Sequence, residues 1–171
     1  HMISGYLQGR LLSILAKMSQ PKNILEIGTF TGYATLCAEG LAKNGKITTL
    51  DVNEELAYLP EKYFQESKFS NQIDFQLIDA KSFLKKTDEV FDFVFIDADK
   101  ENYVDYFKLI KPHIKSGAMV IFDNVLWYGK VLEEKPKQKS TQIIKELNEL
   151  VAKDQDFENL ILPLRDGLHL I

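Results

Sequence analysis

Apolar residues recur at helical spacing over residues 3–18, where Leu7, Leu11, Leu12, Leu15 and Met18 share a side, and the pattern stops before Pro21. Residues 23–28 then switch to strand-like sequence (Ile24, Leu25, Ile27, with a carboxylate at Glu26) and pass through Gly28 and Gly32 into a helical pattern from Tyr33. This predicts a strand, a glycine turn and a helix over 33–42 that ends at Lys43-Asn44-Gly45. Residues 46–51, KITTLD, form a second strand ending on Asp51, followed by a helix over 54–67 that must accommodate Pro60 in its first turn or at a kink. Residues 72–78 alternate as a third strand, and a short helix follows from Asp79-Ala80 to Leu84.

Residues 91–96, FDFVFI, are nearly continuously apolar, as suits a central strand covered on both faces. They run into Asp97-Ala98-Asp99-Lys100, and a helix with Tyr103, Phe107, Ile110 and Ile114 on one side comes next. Lys115-Ser116-Gly117 reads as a turn before a strand over 118–122, which ends at Asp123-Asn124. Residues 130–139 read as a polar loop, 141–153 as a helix, and 157–164 with 168–171 as a hairpin closed by Arg165-Asp166-Gly167. Strand and helix alternate five times before that hairpin. The expected fold is α/β: an open, mainly parallel sheet with helices on both faces and an antiparallel end.

Such sheets bind ligands at the carboxyl ends of their strands, and here those ends carry Glu26, Asp51, Asp79, Asp97 and Asp123. A glycine turn that opens a helix lets a ligand approach backbone N–H groups. The turn lacks the G-x-G-x-x-G spacing of dinucleotide enzymes, because Phe30 stands where a second glycine would admit a pyrophosphate. Asp51, 19 positions after Gly32, is placed to accept ribose hydroxyls. A ribose-containing cofactor without phosphates is easier to accommodate than NAD.

Composition narrows this little. With 171 residues, one domain over 1–171 is expected, and the net charge of −4 offers no broad attraction for nucleic acid or an anionic membrane. The lone Cys37 cannot form an intrachain disulfide, and no apolar run reaches the ~18 residues of a membrane span, so a cytoplasmic protein is expected.

The order EIGTFTGY, LD, FDFVFIDADKENY, DNVLW and LPLRDGL resembles the cation-dependent O-methyltransferases, a group that includes caffeoyl-CoA and catechol O-methyltransferases and bacterial relatives. The resemblance implies a Rossmann-like fold with a seven-stranded sheet that binds S-adenosylmethionine (SAM). It further implies methyl transfer to a hydroxyl of a small catechol-like aromatic, and a homodimer. The family usually carries a helical segment before Met2, which is either absent or not included here. On the same resemblance, cofactor contacts fall on Ser4, Glu26, Gly28, Thr29, Asp51, Ala80 and Asp99. A divalent cation falls on Asp97, Asp123 and Asn124, whose oxygen-only donors suit Mg²⁺, Mn²⁺ or Ca²⁺. Asp97 and Lys100 are the implied catalytic residues, with Lys100 as the base that takes the phenolic proton. Trp127 and Tyr128 either wall the acceptor ring or pack in the core, and Asp97 or Asp99 is equally able to cap the helix after it. The serine that the family often carries is Ala34 here. Two other readings remain: an NAD-linked oxidoreductase of related topology, and a SAM-binding subunit without turnover.

Overall fold

The computed structural model describes residues 4–38 and 45–171. Helix α1 (Gly5–Ser19) leads into β1 (Asn23–Ile27), and α2 (Tyr33–Cys37) starts directly after Gly32. Strand β2 (Lys46–Asp51), helix α3 (Tyr58–Glu66) and strand β3 (Ile73–Leu77) follow, then α4 (Ala80–Leu84), β4 (Phe91–Ile96) and α5 (Tyr103–Ile110). The chain closes with β5 (Ile114–Asp123), α6 (Lys139–Lys153), β6 (Leu160–Leu162) and β7 (Leu168–Leu170).

The seven strands form one sheet in the order β3-β2-β1-β4-β5-β7-β6. Strands β1 to β5 are parallel, and β7 runs antiparallel to both β5 and β6. Helices cover both faces because the central strands are apolar on both. Leu25, Ile27, Val94, Ile96, Val120 and Phe122 pack with side chains of α4, α5 and α6, among them Leu84, Phe107, Ile144 and Leu147. Ile24, Phe93, Phe95 and Ile121 face the other way, against Leu12 and Ala16 of α1. Each side chain buried fully in this way is worth roughly 1.5–3 kcal/mol relative to exposure.

The differences from the sequence reading are local. The expected end of the second helix at residues 42–44 lies outside the described residues. Residues 54–67 split into a 3-10 turn over Glu54–Leu56, with Asn53 accepting from the N–H groups of Glu55 and Leu56, and α3, in which Pro60 occupies the first turn. Ile114 is not the last inward residue of α5 but the first of β5. Pro112, in the 3-10 turn Lys111–His113, lacks the N–H that a continuing helix needs. Lys115 to Gly117 lie inside β5 rather than between elements: Phe91 pairs with Ile114 but Phe93 with Met119, so these residues bulge out of register. The expected loop at 130–139 begins inside a 3-10 segment, Trp127–Leu132. Among the described residues no helix is long and apolar enough to cross a membrane.

Candidate functional site

The order of the sheet reverses at β1, whose neighbours are β2 and β4, and such a reversal opens a crevice beyond the strand ends. Two neighbouring cavities occupy it, of about 980 and 370 Å³, both bordered by Gly28, Phe30, Asp97, Ala98, Asp99 and Asn102. Gly28 has φ +101°, and a Cβ there would collide with the Asp97 carbonyl oxygen. The turn therefore passes against β4 only as glycine.

The smaller cavity holds Asp51 and Ala80. Asp51 Oδ1 accepts from the N–H groups of Val52 and Asn53 at 2.8 and 2.9 Å, and Oδ2 accepts from Phe30 N–H at 2.7 Å. A carboxylate oxygen accepts about two hydrogen bonds, so Oδ2 keeps capacity for a hydroxyl of a ligand. Asp99, on the wall between the cavities, accepts from the Tyr106 hydroxyl at 2.5 Å and from the Asn102 amide. Burial and Asp99 push the Tyr106 phenol well up, so that it stays a donor.

Ser4, Thr29, Trp127 and Tyr128 line the larger cavity, together with Asp97, Lys100, Asp123 and Asn124. Ile96 pairs with Phe122, so Asp97 and Asp123 follow in step at the ends of adjacent strands. Asp123 Oδ1 accepts from its neighbour Asn124 N–H at 2.7 Å, and Oδ2 accepts from the Gln8 amide. Burial, then the negative charge of Asp97, push the Asp123 carboxyl up to about 6. Lys100 Nζ donates to Asp97 Oδ1 at 2.9 Å, to the Ala98 carbonyl at 3.0 Å and to the Tyr103 hydroxyl at 2.7 Å. Trp127 Nε1 is buried without a partner, whereas Tyr128 is 81% exposed.

Of the residues singled out from the sequence, Glu26 alone stands away from both cavities. Strand alternation turns it to the α1 and α2 side, where it is 2% exposed and accepts from the hydroxyls of Thr35 and Thr49 on Oε2. Its Oε1 is buried without a partner, and burial pushes the carboxyl up to about 7. Thr29, on the cavity wall, shares a 2.6 Å hydrogen bond with the same Thr49 hydroxyl.

Among the described residues no group of three or more His, Cys, Asp and Glu side chains is arranged to hold a metal ion. The cluster at the two strand ends has two carboxylates and one amide. Its donors still fit a hard dication: the two carboxylates and the amide offer oxygen ligands from the ends of two adjacent strands. Sequence reasoning missed Gln8, Tyr103 and Tyr106 as parts of the site. The only trace of Gln8 was a polar residue on the apolar stripe of α1, one turn before Leu12.

A family model described as O-methyltransferase matches residues 1–171. Caffeoyl-CoA O-methyltransferase 1 of Eucalyptus globulus is 36% identical over 175 residues, which cover 95% of this chain and 71% of that protein. The enzyme of the same name from Arabidopsis thaliana is 34% identical, with 94% of this chain and 67% of its own length covered. Among solved structures, the O-methyltransferase of Bacillus cereus in complex with SAH superposes with a TM-score of 0.91 at 28% identity, covering 97% of this chain and 80% of that one. The O-methyltransferase TomG of Streptomyces achromogenes in complex with SAM gives 0.94 at 27% identity, covering 99% and 80%.

Proposed function

The chain belongs to the O-methyltransferase family, and from that premise we propose that it moves the sulfonium methyl of SAM to one hydroxyl of a small vicinal-dihydroxy aromatic, with a divalent cation at Asp97, Asp123 and Asn124. The observation that carries this reading is the meeting of that oxygen cluster with the Gly28-Thr29 turn on one cavity wall. In this reading SAM lies across the two cavities. Asp51 takes the ribose, Gly28 allows close approach, and Ser4, Thr29, Ala80 and Asp99 line its path. Glu26 would reach the cofactor only after a change of rotamer, and otherwise acts through Thr49 and Thr29.

The cation, when bound, supplies charge that favours the phenolate of the acceptor. The chain's own residues supply the rest. Asp97 fixes Lys100, and Ala98 and Tyr103 take its other N–H groups, so its nitrogen has a defined place on the cavity wall. Held there, Lys100 is the residue placed to take the phenolic proton as general base. Trp127 walls the acceptor ring. Tyr128 stands at the mouth and shields the ring from water. Phe30, with φ +47°, borders both cavities at the position where a dinucleotide-binding turn would carry a second glycine, which disfavours NAD.

Purified protein incubated with SAM, Mg²⁺ and a panel of catechols should yield methyl ethers and an equal amount of the demethylated cofactor. SAM binding without a methyl ether from any acceptor would instead make the chain a cofactor-binding subunit. We place it in the cytoplasm and propose a homodimer, which light scattering would test. The exposed stripe Leu7, Ile14 and Met18 on α1 offers apolar surface for such a contact.

A further inference from the structure

Gln8 is 1% exposed on the inner side of α1, at a position whose neighbours one and two turns on, Leu12 and Ala16, are wholly apolar. Burying an amide there costs free energy unless the group is hydrogen-bonded. Its Nε2 donates to Asp123 Oδ2, 115 residues away in sequence, and Gln8 does not itself border the cavity. The other oxygen, Oδ1, is held by Asn124 N–H at 2.7 Å. Two donors, one on each oxygen, fix the plane of the carboxylate. Each oxygen retains acceptor capacity.

Resting on the cation reading above, we propose that Gln8 is a positioning residue for the cation site: it holds the Asp123 carboxylate at the angle at which Asp123, Asp97 and Asn124 converge. The amide is neutral, so it orients Asp123 without cancelling the charge that a dication needs. A lysine at the same position would compete with the cation, and a carboxylate would repel Asp123. Hydrogen-bonded supports of ligating carboxylates commonly change metal affinity by about 10–100-fold when removed. The same contact ties α1, which also supplies Ser4 at its start, to the end of β5.

The test is Mn²⁺ titration of the full chain by calorimetry in the presence of SAM, with the melting temperature and the SAM dissociation constant measured alongside. Gln8→Met, of similar volume but without the donor, should weaken Mn²⁺ binding about tenfold and leave SAM affinity unchanged. Gln8→Asn, one methylene too short to reach Asp123, should behave alike, and in an Asp123→Asn background Gln8→Met should add no further loss. Leu12→Val should lower the melting temperature with Mn²⁺ affinity intact. Mn²⁺ affinity within twofold of the unaltered chain in both Gln8 variants would overturn the proposal, as would parallel loss of SAM binding and folding in both, which marks a scaffold role. If the unaltered chain binds no Mn²⁺, the cation reading itself fails, and Gln8 with it.

Discussion

The Tyr103 hydroxyl lies 2.7 Å from Lys100 Nζ, and the lysine nitrogen also stands 4.7 Å from the centre of the tyrosine ring. That hydroxyl is within 3.0 Å of the Asp123 carbonyl and 3.2 Å of the Ile96 carbonyl, so one fully buried phenol joins the proposed base to the ends of β4 and β5. Tyr103→Phe keeps the ring and removes the join. The expected loss is about 1–2 kcal/mol of stability from unpaired carbonyls. With it should come a fall in kcat larger than any change in the KM for SAM. Chemical denaturation and steady-state kinetics check both; equal falls in kcat and in SAM affinity would count against Tyr103 as a support for Lys100.

Gly28 passes against the Asp97 carbonyl with φ +101°. Gly28→Ala adds a methyl that must push β1 and β4 apart and a left-handed conformation that L-residues resist, together about 3 kcal/mol. SAM binding should fall with it, since the same turn separates the two cavities. A variant that keeps its melting temperature and its SAM affinity would contradict the tight approach.

His169 is 1% exposed in β7, with its ring nitrogens 3.1 Å from Asn148 Oδ1 and 3.2 Å from Asn159 Oδ1. Burial pushes its imidazole down to about 4. The ring is neutral in the fold but titrates near 6.5 in the unfolded chain, so the unfolded chain binds more protons below that pH. The contribution of His169 is intact above about pH 6.5 and is lost as pH falls towards 4, by about 3 kcal/mol at most. Urea unfolding between pH 8 and pH 4.5 should show His169→Gln less sensitive to acid than the parent, and parallel curves would refute this.

Glu26 carries the opposite sign. Its carboxyl is raised to about 7, so the fold holds an extra proton between about pH 4.5 and 7 and loses stability as pH rises through that window. Glu26→Gln should therefore be more stable than the parent at pH 8 by up to about 3 kcal/mol, with little difference at pH 4.5. A uniform offset across pH would mean that the carboxyl is ionised throughout.

Much of this site was legible because its residues sit where strand periodicity breaks. The continuous run FDFVFI can only be a covered strand, and the polar DADK after it has to lie at a strand end. The resemblance grouped Asp97, Asp123 and Asn124, and the register of β4 and β5 sets their strand ends side by side. Glu26 escaped the cavity because period-2 alternation gives adjacent positions opposite faces, and Ile27 took the one on the α5 and α6 side. Gln8 and Tyr103 were not legible as parts of the site, since their partners lie 115 and 20 residues away and no local pattern encodes such contacts. Ile114 was misplaced because its spacing from Ile110 continues a helical period that Pro112 physically ends.

The most direct measurement is methyl transfer from SAM to a catechol by protein stripped with EDTA, before and after Mg²⁺ is restored. Turnover should be absent in EDTA, return with Mg²⁺, and be lost in Asp97→Ala and Asp123→Asn although both still bind SAM. A rate unchanged by EDTA, or retained in Asp97→Ala, would contradict a cation-assisted reaction at these strand ends.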